Sequence, residues 1–232
     1  MTNQQFLNIT IILIVIFSLG FIVSFSLFIL HKYVHNLKAQ KKGFMFEDSI
    51  NNKLKTLLKV TDFNFISGGA YKLDKTLYEV DAIFFNKSML VCAEYKYFQG
   101  VLSGDAYGNE LNLSNGKNKK LKVKNPITQN ESHVKNIFKT TNKKLPYASL
   151  IIFPDDLKLE ISNIPAHVII CKVNQIESKV NQLYNEASTL EQTINIKEFH
   201  NTLKAFEIST LAEKLYFRNK IMKQRRKYEY KN

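Results

Sequence analysis

Hydrophobic and polar positions follow three different rhythms along the chain. From Phe6 to Leu30 the run "FLNITIILIVIFSLGFIVSFSLFIL" is apolar almost throughout, and no Lys, Arg, Asp or Glu occurs before His31. A second rhythm begins at residue 43, where "GFMFEDSINNKLKTLLK" places Phe46, Ile50, Leu54 and Leu57 at helical spacing. Next come "FNFISGGAYK", "LYEVDAIFF" and "MLVCAEYKYF", rich in β-branched and aromatic residues and separated by turn signals. They predict three successive strands in an antiparallel meander. "GDAYGNELNLSNGKNKKLKVKNP" mixes turn residues with short strand-like pieces, and its "LKVK" alternates as a half-exposed edge strand does. "ITQNESHVKNIFKTT" predicts a helix opening just after Pro126, "YASLIIFP" and "AHVIICKV" two short buried strands, and the chain from Asn174 onward helices. The order predicts a mixed α/β domain built on one central sheet.

The first run predicts a membrane-spanning helix. Residues 6–30 as a helix would rise roughly 37 Å, against a hydrocarbon core of roughly 30 Å. A cleaved signal peptide is the competing reading, but "MTNQQ" has no basic residue and "SLFILHKY" offers no small-residue cleavage site. His31, Lys32, His35, Lys38, Lys41 and Lys42 follow the run, and nothing basic precedes it. The positive-inside rule then puts the N-terminus outside and the rest of this single-pass protein in the cytoplasm. The expected organisation is an anchor over 1–31, a basic linker over 32–42, a catalytic or binding domain over 43–172 and a basic helical tail over 173–232.

Charge narrows the partners. The 232-residue chain carries a formal net charge of +13, which favours polyanions: nucleic acid or an anionic membrane surface. The juxtamembrane lysines account for part of it. Cys92 and Cys171 fall in separate apolar runs, as buried thiols of a reducing compartment would.

Candidate chemistry lies where charges interrupt the strand pattern. Glu79 and Asp81 sit in one predicted strand, and Glu94 and Lys96 in the next. Glu94 and Lys96, two apart, share a strand face, and Asp81 joins them if the register allows. Two carboxylates at one point repel unless a cation lies between them, and a hard divalent ion suits phosphate chemistry. A plain Glu94–Lys96 ion pair on a solvated face is the alternative. Tyr95 and Tyr97 alternate with these charges and are expected to pack beneath the sheet.

"GFMFE", "YEVDAIFF", "CAEYKYFQGVLSG" and "NPITQNESHV" resemble, in order, the motifs of the NERD (nuclease-related) domain, a member of the PD-(D/E)XK or restriction-endonuclease-like superfamily. The resemblance covers about residues 41–140. It implies a restriction-endonuclease-like central sheet flanked by helices, here preceded by one transmembrane helix. Asp81, Glu94 and Lys96 match the acid and E-x-K of the nuclease core, Glu47 the helix acid and Gln129 the helix glutamine. The activity so implied is Mg²⁺- (or Mn²⁺-) dependent phosphodiester hydrolysis, with DNA favoured over RNA. Asp81, Glu94 and the Tyr95 carbonyl would hold the metal. Lys119, Lys120, Lys122 and Lys124, with His133, are the expected nucleic-acid contacts, although His133 taken alone reads as a surface histidine. A non-catalytic nucleic-acid tether at the bilayer, or a scaffolding membrane protein, would share the anchor and the charge but not a metal dependence.

Overall fold

A computed structural model of the chain describes residues 3–74, 76–116, 120–210, 212–213 and 215–217; within the first helix the side chains of 3–16, 32, 35–36 and 38–40 lie outside the description. The chain divides into two compact units, Met1–Met45 and Phe46–Asn232. Helix α1 (Asn3–Leu58) makes up the described part of the first unit and contributes residues from Phe46 onward to the second. Among the described residues no helix is long and apolar enough to cross a membrane. The expected span of 6–30 lies partly outside the described side chains, which begin at Phe17.

The second unit begins with the predicted meander. Strands β1 (Asn64–Leu73), β2 (Thr76–Phe85) and β3 (Leu90–Tyr95) pair antiparallel in succession. Strands β7 (Tyr147–Phe153) and β9 (Val168–Lys172) extend the sheet in parallel, in the order β1-β2-β3-β7-β9. Between β3 and β7 the chain leaves this sheet, and here the expectation of one central sheet needs correcting. β4 (Val101–Asp105), β5 (Glu110–Ser114) and β6 (Lys120–Lys124) form a second sheet with β8 (Lys158–Ser162), in the order β6-β5-β4-β8. The predicted hairpin is present and "LKVK" does lie in the edge strand, but β8 joins it to a separate layer. β8 was missed because "KLEIS" is short and half charged.

Helices cover both faces of the larger sheet. On one face, Ile50, Leu54 and Leu58 of α1 and Ile176, Val180 and Leu183 of α3 (Ile176–Ser188) pack on Phe84, Val91, Ala93 and Ile152. On the other, Val134 and Ile137 of α2 (Pro126–Thr141) and Phe199 and Leu203 of α4 (Ile196–Ala205) pack on Ile83, Phe85, Leu90 and Cys92. Alternate residues of β2 and β3 therefore face opposite layers, which is why apolar residues dominate both faces of Ala82–Phe85 and Leu90–Ala93. Both cysteines are buried and free, as expected.

Candidate active site

The site forms where β2 and β3 stop pairing. Their ladder ends at Ala82 opposite Ala93, so the next step of the same register sets Asp81 opposite Glu94. The alternation of β2 slips at this point: Tyr78 and Val80, then Ile83 and Phe85, all join the cluster facing α2 and α4. On the other side of Asp81 stands Gly68, skipped with it in the β1–β2 ladder. Gly68 has φ +22°, and a Cβ there would meet the Asp81 carbonyl oxygen at 3.0 Å. A side chain at Gly68 would push Asp81 out of place. Freed from the ladder, the Asp81 carboxylate accepts the Tyr95 backbone N–H through Oδ2 at 2.7 Å. β3 ends at Tyr95, so Glu94 lies on its last turn of pleat and Lys96 just beyond it.

Glu94 is fully buried, yet it is well supplied with donors. The Lys96 ammonium pairs with Oε1. Gln129 Nε2 donates to the same oxygen at 2.6 Å. His133 Nε2 stands 3.4 Å from Oε2, too far for a well-formed hydrogen bond. Oε2 itself has no hydrogen-bond partner. Gln129 and His133 lie one turn apart on α2 and face the strand end together. His133 is therefore not the surface histidine its sequence setting suggested: it is buried, and its ring stacks near Tyr78.

Two asparagines, neither flagged by the sequence, position α2. Asn125 caps the helix by accepting from Ile127 N–H at 2.9 Å, and its amide donates to the carbonyls of Ala106 and Gly108. The "NP" dipeptide ahead of the helix was the available signal. Asn130 donates to the Cys92 carbonyl and to Ser149 Oγ, each at 2.8 Å, tying α2 to β3 and β7. No pattern in one sequence distinguishes it from its neighbours. From the opposite layer, the buried Tyr95 hydroxyl donates to Asn51 on α1. Tyr97 packs against Phe46. Both tyrosines thus pack as expected, and the Asn51 contact holds the turn that bears Glu47.

Electrostatics divide the two acids. Burial, with the Glu94 charge beside it, pushes the Asp81 carboxyl up to about 8, despite opposing pulls from Lys96 and the Tyr95 N–H; Glu47 adds to the rise. Burial works to raise Glu94 too, but Lys96 and His133 outweigh it and hold Glu94 below the ordinary carboxylate range. Burial disfavours the Lys96 ammonium, but Glu94 and Asp81 prevail and raise it. At neutral pH the pair is thus one carboxylate and one largely protonated acid, a state that an added cation would tip toward double ionisation.

The sequence-predicted residues therefore divide. Asp81, Glu94, Lys96 and Gln129 converge, His133 joins them, and Glu47, itself exposed, acts electrostatically on Asp81 and Lys96. Glu79 is exposed and makes no hydrogen bond or ion pair among the described residues. Lys120, Lys122 and Lys124 lie on the edge strand β6, exposed, while Lys119 and the tail run 218–227 lie outside the described residues. No group of three or more His, Cys, Asp or Glu that could hold a metal occurs among the described residues.

A mixed sheet flanked by helices, with paired acids, a lysine and a helix glutamine gathered at one strand end, is consistent with the restriction-endonuclease-like superfamily. Residues 42–154 match the family model of the nuclease-related domain. Comparison with curated proteins and with solved structures yields no match.

Proposed function

We propose that this protein is a membrane-anchored, divalent-metal-dependent nuclease that hydrolyses phosphodiester bonds, with DNA as its substrate. The observation that carries this reading is the meeting of Asp81, Glu94, Lys96 and Gln129 at the end of β3, inside a nuclease-related domain. The donor set fits a hard cation: two carboxylates, one with a buried oxygen lacking any hydrogen bond, and beside them the main chain at Tyr95. Two carboxylates with a carbonyl leave further positions to water, as Mg²⁺ prefers. Asp81, Glu94 and the Tyr95 carbonyl would hold it. Bound there, Mg²⁺ (or Mn²⁺) would offset charge on the scissile phosphate and acidify a water.

The protein groups do the rest. Lys96, fixed by Glu94, orients the attacking water and its proton. Gln129 holds the Glu94 rotamer, and the Tyr95 N–H holds that of Asp81. His133 stands beside Glu94 Oε2 and flanks the donor set, and Glu47 adds negative potential that draws a cation inward. Lys120, Lys122 and Lys124, with Lys119, supply backbone contacts.

The anchor rests on the apolar run of 6–30. Phe17, Phe21, Phe25 and Phe28 are exposed, an apolar surface that a bilayer would cover. The decisive experiment is cleavage of DNA and RNA by the full chain in detergent, with EDTA, Mg²⁺ or Mn²⁺. Metal-dependent cleavage lost in Asp81→Asn supports the reading. Binding without cleavage under every metal would replace it with the tether.

A further inference from the structure

A polar groove in the second sheet lies beside the candidate site without belonging to it. Glu110 pairs across the ladder with Lys124, Asn112 with Lys122 and Ser114 with Lys120. Residues two apart on a strand share a face, so these pairs stand in a row on one side of the β5–β6 ribbon. The alternate residues Leu111, Leu113 and Val123 pack into the core behind it. The polar row and one side of α2 enclose an open groove of about 860 Å³, lined by Asn109, Glu110, Asn112, Lys122, Lys124, Thr128 and Ser132. Thr128 and Ser132 immediately precede Gln129 and His133. The groove and the Glu94 cluster therefore share α2 as a wall, about 100° apart around the helix.

The chemistry of the lining restricts what fits. Lys124 has no carboxylate partner among the described residues, and Lys122 is only loosely paired with Glu110 at 3.7 Å, both partners being exposed. Asn109 and Asn112 add amide donors. The Thr128 and Ser132 hydroxyls bond to carbonyls of their own helix and can turn outward. Among the described residues no aromatic side chain lines the groove; Tyr107, exposed on the adjoining β4–β5 turn, lies outside the lining. Single strands are typically held by aromatic platforms on which the free bases stack. Two ammonium groups outnumber the single Glu110 carboxylate, itself paired with Lys122, and with the amide and hydroxyl donors and no such platform they suit phosphates and sugars, which position a nucleic acid without reading it. We propose that this groove grips the sugar–phosphate backbone of a double-stranded nucleic acid, whose bases remain stacked on one another. The proposal rests on the nuclease reading for where the reacting phosphate lies, but the binding it describes needs no cleavage.

The test uses the full chain in detergent with EDTA, and a fluorescent duplex of roughly 20 base pairs beside its single strand, titrated across salt. Wild type should bind the duplex more tightly than the single strand and without sequence preference. The double variant Lys122→Gln/Lys124→Gln should lose about tenfold or more in duplex affinity at low salt. Its log–log salt slope should fall by about 2, roughly one per lysine. The melting temperature should not change, since both side chains are exposed. Lys197→Gln/Lys204→Gln on α4 removes equal charge elsewhere and should leave binding near wild type. An unchanged slope in the groove variant, an equal loss in the α4 variant, or a wild-type preference for single strands would each overturn the proposal. Cleavage of the same duplex with Mg²⁺ separates the two readings. Wild type that cleaves while the groove variant binds normally keeps the nuclease and discards the groove. Wild type that binds through the groove but never cleaves does the reverse.

Discussion

Asp81 and Glu94 carry the same chemical group but differ in charge state because only Glu94 has a lysine and a glutamine on its oxygens. A pH dependence follows. The Asp81 carboxyl, ordinarily near 3.8, stands at about 8 when folded. Between those values the folded chain keeps a proton that the unfolded chain has released, so raising the pH through this window lowers stability. Below it the acid is protonated in both states, and above it the penalty is complete. Asp81→Asn keeps an acceptor for the Tyr95 N–H and removes the titration. In EDTA it should melt higher than wild type at pH 8–9, on the order of 5 °C, with the gap closing toward pH 4. A gap independent of pH would refute the raised carboxyl. Lys96→Ala should behave differently, because it strands the buried Glu94 charge with Gln129 and His133 alone. A loss of about 1–3 kcal/mol in urea melts at neutral pH is expected. Cleavage should fall on the order of 100-fold while the Mg²⁺-induced melting shift persists, since the lysine is not a ligand.

The Glu94 cluster depends on α2, and α2 depends on its first residues. Asn125 is buried and serves both as cap and as donor to two carbonyls of the β4–β5 turn. Asn125→Ala should cost about 2–4 kcal/mol, from the lost cap and the orphaned carbonyls together. Asn125→Ser keeps a cap acceptor and loses the amide donors, so it should fall between wild type and Asn125→Ala. Urea melts of the three proteins would order them, and equal stability of the Ser and Ala variants would deny the cap its share. Because α2 presents Gln129, cleavage should decline in the same order.

Two compact units, one of them described only by a helix, make orientation the question for the molecule as a whole. If residues 6–30 span the bilayer with the basic flank inside, protease added to intact cells should spare everything after residue 42 and cut it after lysis. Digestion from outside would reverse the topology, and recovery of the intact chain in the aqueous fraction would remove the anchor.

The sequence by itself determined the strands and helices whose rhythm is local: the β1–β3 meander, the edge strand β6, the helix after Pro126 and the stripe of α1. It also marked Asp81, Glu94 and Lys96 as charges set in apolar strands, which left an ion pair and a metal site both open, and the resemblance to the nuclease-related motifs singled them out together with Gln129. Only tertiary structure decided the rest. That β4, β5, β6 and β8 form a second sheet depends on β8 pairing with β4 across some fifty intervening residues, a contact with no local signal. His133 was misread because one histidine on a helix looks the same whether it faces solvent or a buried glutamate; the facing partner is set by packing. Asn130 went unseen for the same reason, since its value lies in reaching the Cys92 carbonyl and Ser149 on two other strands. The split in charge between Asp81 and Glu94 also came from the fold, because burial and the placing of Lys96 set it, and neither is written in the spacing of the residues.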